Sequence, residues 1–222
     1  MNKDYYIDLI KKQKLITSEE NNESVDGSGW YPSVRENDVS KIYSFIKEEM
    51  PYIDWQNVNT LDIGTGLGYL PKCLNEMGVK CLGIEGSSDL IDKFVSNEIV
   101  IWDFITPLES LNLPFGHENL KDLFDVSFSF EVIEHISPSD QCAFWNNIFT
   151  TSKYHVCSIH VEGGTNEYHK CIQFEQKWID FCVFEGMFDG DNTNCDWLSY
   201  DSKTRCAYMK DKPFGKIAFR EK

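Results

Sequence analysis

One stretch decides the fold, Thr60-Leu61-Asp62-Ile63-Gly64-Thr65-Gly66-Leu67-Gly68-Tyr69-Leu70, in which a short apolar run meets three glycines at alternate positions. The apolar run predicts a buried strand, and the residues from Tyr69 to Met77 predict a helix. Because the three glycines lack a Cβ atom, the chain can turn sharply with positive φ and a ligand can approach the main chain. The helix offers free N–H groups and its positive dipole end at the same place. The stretch therefore predicts a nucleotide-binding turn.

The spacing of the glycines distinguishes two classes of cofactor. In the dinucleotide fingerprint Gly-x-Gly-x-x-Gly, the third glycine packs the helix on the strand beside a pyrophosphate. Here the third glycine comes one residue early, and Tyr69 occupies the place of the dinucleotide glycine. The stretch instead resembles motif I of class I S-adenosylmethionine (SAM) methyltransferases: apolar residue, Asp, apolar residue, Gly-x-Gly-x-Gly. The resemblance implies SAM as the cofactor, and it implies a cofactor-binding set of Asp62, Gly64, Thr65, Gly66 and Gly68.

Two more apolar runs end in groups that fit the same cofactor. Lys80 to Glu85 ends in an acid seventeen residues after Gly68. A carboxylate at the tip of a second strand can accept both ribose hydroxyls, so Glu85, followed by Gly86, is the predicted ribose site. Glu98 to Phe104 ends in Trp102 and Asp103, and the resemblance implies that Asp103 binds the adenine amino group.

A fourth apolar run, Phe124 to Glu131, brings Ser129 and Phe130 to the same predicted site. Each acid also has a structural interpretation. Asp62 could brace the glycine loop, Glu85 could cap the helix start near Ser87, and Asp103 could be an ordinary surface acid. The order of these groups at successive strand ends favours the cofactor interpretation.

Strands that alternate with helices along the chain predict right-handed βαβ units and a parallel sheet. We expect an α/β, Rossmann-like, doubly wound sheet of seven mostly parallel strands, whose antiparallel end is a C-terminal hairpin within Cys195 to Met209. We expect one domain over 1–222, with N-terminal helices and a lid in 1–50 and the catalytic core in 51–222. A helix is predicted from Asn37 to Glu49, and Tyr31 and Arg35 before it are candidates for the lid.

Composition restricts the partners. The 21 Lys and Arg residues against 36 Asp and Glu give a formal charge of −15, which repels phosphate backbones and anionic membranes. We therefore expect neither duplex nucleic acid nor a membrane as a partner. The eight cysteines form no C-x-x-C pair and no signal peptide is recognisable, which indicates buried thiols in a reducing compartment, the cytoplasm.

A second informative stretch, Phe130-Glu131-Val132-Ile133-Glu134-His135-Ile136, directly follows the fourth strand. Two carboxylates and an imidazole that converge at a substrate mouth can hold a divalent cation, Mg²⁺ or Mn²⁺. The stretch resembles the Glu-x-x-Glu-His motif of ubiquinone-pathway O-methyltransferases and small-RNA 3′-terminal 2′-O-methyltransferases. The resemblance implies catalytic and metal-binding roles for Glu131, Glu134, His135 and the later His169. The alternative is a metal-free enzyme in which His135 is a base or orients the acceptor.

The acid and histidine cluster favours O-methylation, because an alcohol benefits from a base or a metal on its oxygen. A fifth strand is predicted from Lys153 to Ile159. Polar and aromatic residues after it favour a sugar, a glycan or another small hydroxylated acceptor: Tyr168, Trp178, Asn194, Trp197 and Tyr200. Methylation of an RNA 3′-terminal ribose is disfavoured by the negative charge and the lack of a basic patch. A ubiquinone-pathway-like acceptor, a binding module without catalysis and a dehydrogenase stay as alternatives.

Overall fold

The computed structural model describes residues 2–12, 36–110, 113–130, 132–137 and 139–158, together with the backbone of three short strands at 199–201, 206–208 and 216–219. The predicted lid residues Tyr31 and Arg35 lie outside these ranges, as do Glu131, His169 and the predicted acceptor-binding residues apart from the backbone of Tyr200.

The described strands form two sheets, and their bounds in chain order are β1 (Asn59–Ile63), β2 (Lys80–Glu85), β3 (Ile99–Ile101), β4 (Phe124–Phe130), β5 (Ser152–Ser158), β6 (Ser199–Asp201), β7 (Cys206–Tyr208) and β8 (Lys216–Phe219). The larger sheet has the order β3-β2-β1-β4-β5-β8, with β8 antiparallel to β5 and the other five strands parallel. The order reverses direction at β1 and β4, which is the topological switch point where open α/β sheets bind ligands.

Helices cover both faces of the larger sheet. Their bounds are α1 (Lys3–Lys11), α2 (Glu36–Glu49), α3 (Tyr69–Glu76) and α4 (Gln141–Thr151). One hydrophobic cluster joins α1 and α4 to the sheet, and the other joins α2 and α3 to it. All five residues of β1 are buried, as expected for a central strand of a parallel sheet with helices on both sides. The predicted doubly wound α/β architecture is confirmed.

The first helix is tied to the edge of the sheet where the parallel strands begin. Lys3 Nζ lies 2.8 Å from Asp125 Oδ1 near the start of β4. Asp4 Oδ2 lies 2.7 Å from Lys80 Nζ at the start of β2. Lys11 forms a further ion pair with Glu98. Because the strands begin at this edge, their carboxyl ends on the opposite edge are left for the predicted site.

Three details differ from the sequence prediction. The larger sheet contains six described strands, so a seventh is not confirmed. The predicted hairpin region does contain the antiparallel pair β6 and β7, but this pair forms a separate sheet, and the antiparallel strand of the larger sheet is β8. The predicted α-helix between β2 and β3 is instead a 3₁₀ helix, Ser88–Lys93. This helix ends at Lys93, because Phe94 is extended and the Val95 N–H donates to the Leu67 carbonyl at 2.9 Å.

The three cysteines whose side chains the structure describes, Cys73, Cys81 and Cys157, are buried and form no disulfide with one another. For these three, the prediction of buried thiols is confirmed. Among the residues that the structure describes, no helix combines the length and the apolar character needed to cross a membrane.

Candidate functional site

The predicted glycine turn connects β1 to α3 at the carboxyl edge of the sheet. Gly64, Gly66 and Gly68 have φ values of +68°, +57° and +86°, in the left-handed region that favours glycine. The N–H groups of Gly64 and Thr65 both donate to the Ile84 carbonyl, at 2.9 and 3.0 Å. The turn is therefore anchored to the end of β2.

The side chain of Glu85, at the tip of β2, completes this anchor. Its Oε2 accepts from the Gly66 N–H at 2.8 Å and its Oε1 accepts from the Ser87 N–H at 3.0 Å. Burial raises the pKa of Glu85, while the backbone N–H groups of Ser87, Gly66 and Gly86 act in the opposite direction. The two carboxylate oxygens have about four lone-pair sites, more than these backbone donors occupy, so acceptor capacity is left for a ligand hydroxyl. The capping interpretation and the ribose interpretation are thus compatible.

Asp62 braces the turn through a side chain. Its Oδ2 accepts from the Thr65 hydroxyl at 2.6 Å, and the carboxylate is 4% exposed. Burial raises the pKa of Asp62 to about 7; the nearby charge of Glu85 adds to this shift, and the Thr65 hydroxyl opposes it. The geometry agrees with the interpretation of Asp62 as a brace, and it places the Thr65 hydroxyl on Asp62.

Two of the three glycines are in contact with protein side chains. A Cβ atom on Gly64 would lie 2.6 Å from Val132 Cγ2, and one on Gly68 would lie 2.1 Å from Ile99 Cδ1. Both distances are shorter than real Cβ contacts, so a side chain at either position would have to displace Val132 or Ile99, and it would also be strained at the positive φ. Through Val132, the segment after β4 lies directly against the glycine turn.

The two predicted cofactor residues at the end of β3, Trp102 and Asp103, have different surroundings. Trp102 is 1% exposed, and its ring centroid lies 4.9 Å from that of Phe104 within the core. Its indole thus packs inside the protein, and its backbone N–H donates to the Glu85 carbonyl at 2.9 Å. Asp103 is 4% exposed, and its Oδ1 accepts from the Ile105 N–H at 3.4 Å.

Sequence reasoning missed the role of His155. The imidazole is 1% exposed and bridges two strands, with Nδ1 at 2.8 Å from Ser127 Oγ and Nε2 at 2.9 Å from Ser129 Oγ. Burial lowers the pKa of His155 to about 3, so the ring is neutral. The hydroxyl of Ser129, a predicted cofactor residue, is thus hydrogen-bonded to His155. Phe130, also predicted, is partly buried and its ring stacks with that of Phe128 at 6.1 Å.

The segment after β4 forms one 3₁₀ turn, Ile133–His135. Glu134 is fully buried and His135 is partly exposed. A buried amide holds this turn from α4, because Gln141 Nε2 donates to the Ile133 carbonyl at 2.9 Å and to the Ile136 carbonyl at 3.1 Å. Two of the four predicted catalytic residues, Glu134 and His135, therefore lie in the 3₁₀ turn that directly follows Val132, which contacts Gly64.

A metal site cannot be assembled from the described residues alone. Within the described ranges, no three His, Cys, Asp or Glu side chains form a group that could hold a metal ion. The predicted group of Glu131, Glu134, His135 and His169 has two members outside these ranges. The metal stays a prediction.

No protein-family model and no curated protein matches the chain. Several solved structures that it resembles are SAM-dependent methyltransferases. One, from Archaeoglobus fulgidus, is 19% identical with a TM-score of 0.50 and is matched over 67% of this chain and 68% of its own. The methyltransferase domain of bacterial CtHen1-C is 14% identical with a TM-score of 0.48, over 68% of this chain and 83% of that domain.

Magnesium protoporphyrin IX methyltransferase (ChlM) from Synechocystis PCC 6803, solved with bound S-adenosylhomocysteine (SAH), is 12% identical with a TM-score of 0.42, over 70% of this chain and 64% of that one. At this level of identity, the likeness to the Archaeoglobus fulgidus structure establishes a shared fold. The chain therefore shares the Rossmann-like α/β fold of that structure.

The raised pKa of Asp62 leads to a prediction about stability. Between its ordinary pKa of 3.8 and its folded pKa of about 7, the native state holds a proton that the unfolded chain has lost. The contribution of Asp62 to stability therefore falls by about 1.4 kcal/mol per pH unit as the pH rises through this window. Asp62→Asn removes this effect and keeps an oxygen for Thr65. Its stability relative to the wild type should rise by that amount per unit, as measured by urea unfolding at pH 4.5, 5.5 and 6.5.

A second variant checks the cause. Thr65→Val removes the hydroxyl that lowers the pKa of Asp62, so the window should extend to higher pH. If the wild type and Asp62→Asn give parallel curves of stability against pH, Asp62 is ionised in the native state and the interpretation is wrong.

Proposed function

We propose that this chain is a SAM-dependent O-methyltransferase that acts on a hydroxyl of a sugar, a glycan or another small hydroxylated acceptor. One observation carries the proposal. The buried carboxylate of Glu85 is held by the Gly66 and Ser87 N–H groups at the carboxyl edge of the sheet, next to the segment that contains Glu134 and His135.

The residues at the ends of β1 and β2 fit the nucleoside of SAM. A vicinal diol needs a paired acceptor, and the Glu85 carboxylate has more lone-pair sites than its backbone donors occupy. The Ser87 hydroxyl beside it is buried and has no hydrogen-bond partner among the described residues. Such a hydroxyl is costly to leave unpaired, and a bound nucleoside could satisfy it. Asp103 is the proposed acceptor for the adenine amino group.

When bound, SAM supplies a methyl group that is already activated by a sulfonium. The protein must then orient the acceptor, exclude water and remove the acceptor proton. His135 is the proposed base, because it is partly exposed in the turn whose preceding residue, Val132, packs on Gly64. Buried Ile133 and partly buried Val132 supply an apolar wall that restricts water.

A divalent metal is a second form of the same proposal. Glu134 and His135 would be joined by Glu131 and His169, and this set of oxygen and nitrogen ligands fits Mg²⁺ or Mn²⁺. A metal held there would lower the pKa of the acceptor hydroxyl and replace part of the work of a base.

Charge and cysteine chemistry support the rest of the proposal. The formal charge of −15 favours a small or neutral acceptor over an RNA terminus or duplex nucleic acid. Three buried thiols, Cys73, Cys81 and Cys157, favour the cytoplasm as the compartment. The competing functions are a binding module without catalysis and a dehydrogenase. Calorimetric titration with SAM and with NAD distinguishes a methyltransferase from a dehydrogenase. A turnover assay distinguishes an enzyme from a binding module without catalysis.

Gly66→Val tests the cofactor site. At φ +57° a β-branched side chain is strained, and it would also obstruct the main chain that receives the ligand. SAM and SAH affinity measured by calorimetry should fall by at least tenfold. Gly78→Val is the matched control, because Gly78 has φ +84° at the end of α3, away from the turn. Equal affinity in Gly66→Val and the wild type would contradict the site.

Glu85→Ala tests the ribose contact. Two charge-assisted hydrogen bonds, each worth about 1.5 to 3 kcal/mol, would be lost, so SAH binding should weaken at least tenfold. Glu76→Ala removes the same charge from an exposed position on α3 and should leave the affinity unchanged. A loss below twofold in Glu85→Ala would mean that the carboxylate does not contact the ribose, and it would contradict the assignment.

EDTA and His135→Ala distinguish the metal from the plain base. Methyl transfer to a panel of glycans and nucleotide sugars is followed by mass spectrometry. If a metal polarises the acceptor, EDTA should abolish turnover without affecting SAM binding, and Mg²⁺ or Mn²⁺ should restore it. If His135 is a base alone, EDTA should have no effect, and His135→Ala should lose about 10² to 10⁴ in rate. Full activity of His135→Ala would contradict both forms.

A further inference from the structure

Helix α4 presents two buried side-chain amides to the carboxyl edge of the sheet. Gln141, near its start, holds the turn after β4. Asn147, in its middle, is fully buried and reaches the segment after β3, where its Nδ2 donates to the Phe104 carbonyl at 2.7 Å and to the Thr106 carbonyl at 2.9 Å. Each amide thus fixes a different loop of the candidate site.

The two carbonyls that Asn147 holds belong to the turn that orients Asp103. In that turn the Asp103 carboxylate accepts from the Ile105 N–H at 3.4 Å, and the Asp103 carbonyl accepts from the Thr106 N–H at 2.9 Å. Phe104 and Thr106 lie on either side of Ile105. Asn147 therefore fixes the backbone on both sides of the N–H group that contacts the Asp103 carboxylate.

The hydrogen bonding of Asn147 is one-sided. Both of its N–H donors are used on the loop, while its Oδ1 is buried and has no hydrogen-bond partner among the described residues. Its neighbours on α4, Phe144 and Ile148, belong to the hydrophobic core. A leucine in such surroundings would remove the unpaired side-chain carbonyl, but it would also take the donor away from the Phe104 and Thr106 carbonyls. The two hydrogen bonds that the amide donates to the loop therefore explain why a polar side chain occupies this core position.

We propose that Asn147 is a positioning residue for adenine recognition, which acts by holding the loop after β3 so that the Asp103 carboxylate meets the adenine amino group. The inference rests on the proposed binding of SAM. It adds that the selectivity for adenine depends on a side chain of α4 that does not touch the cofactor.

The test uses two probes that differ at the adenine edge. SAH carries the amino group at C6, and S-inosylhomocysteine carries a keto oxygen there. A correctly placed carboxylate accepts from the amino group and repels the keto oxygen. Calorimetric affinities of both probes are measured for the wild type, Asp103→Asn, Asn147→Leu and Gln141→Met. The readout is the ratio of the two affinities. A general loss of stability lowers both affinities equally and leaves this ratio unchanged.

The wild type should prefer SAH by at least tenfold. Asp103→Asn should lose or reverse this preference, because an amide can donate to the keto oxygen. Asn147→Leu should reduce the preference to within threefold. Gln141→Met is the matched control: it removes an amide of similar burial from the same helix but releases the other loop, so it should keep the wild-type ratio.

A folded Asn147→Leu with the wild-type ratio overturns the proposal, and so does a wild type that binds both probes equally. A wild type that binds neither probe overturns the proposed function itself, so the two failures are distinguishable. Where Asn147→Leu does not fold, Asn147→Ser keeps one donor and should give an intermediate ratio. An unchanged ratio in Asn147→Ser then overturns the proposal.

Discussion

The candidate site depends on one interaction, the pair of hydrogen bonds that the Glu85 carboxylate accepts from the Gly66 and Ser87 N–H groups. A turn with three left-handed residues has few backbone partners of its own, and buried N–H groups must be paired. The end of β2 supplies them, with the Ile84 carbonyl for Gly64 and Thr65 and the Glu85 carboxylate for Gly66. The Gly66 and Ser87 N–H groups in turn offset part of the cost of burying the carboxylate, whose pKa is still raised.

Packing contacts connect the glycine turn to the neighbouring strands. Gly64 lies against Val132 and Gly68 against Ile99, with no space for a Cβ atom at either contact. Because backbone meets side chain directly, the segment after β4 and the start of β3 cannot shift without moving the turn. From the other side, Gln141 and Asn147 of α4 hold the loops after β4 and β3. The loops at the ends of β1, β3 and β4 are therefore mutually fixed.

Local pattern was enough to predict the parallel strands, because each is a short apolar run with a polar end. It failed where tertiary contacts decide: the helix expected after β2 became the 3₁₀ segment Ser88–Lys93 once Val95 bonded to Leu67. Spacing along α4 did contain a signal for Asn147, since this polar residue interrupts the helical row of Phe144 and Ile148 that faces the core. The role of His155 depends on the register of β4 with β5, which places it opposite Ser127 and which no local pattern specifies.

Two buried groups of the sheet couple folding to pH in opposite directions. Between pH 3 and 6.5, His155 is protonated in the unfolded chain and neutral in the native state, so this group makes stability rise with pH. Between pH 3.8 and about 7 the native state keeps a proton on Asp62 that the unfolded chain loses, so that group makes stability fall with pH. Each slope is about 1.4 kcal/mol per unit. From pH 3.8 to 6.5 the two slopes offset each other, because one buried imidazole excludes a proton while one buried carboxyl beside the glycine turn retains one.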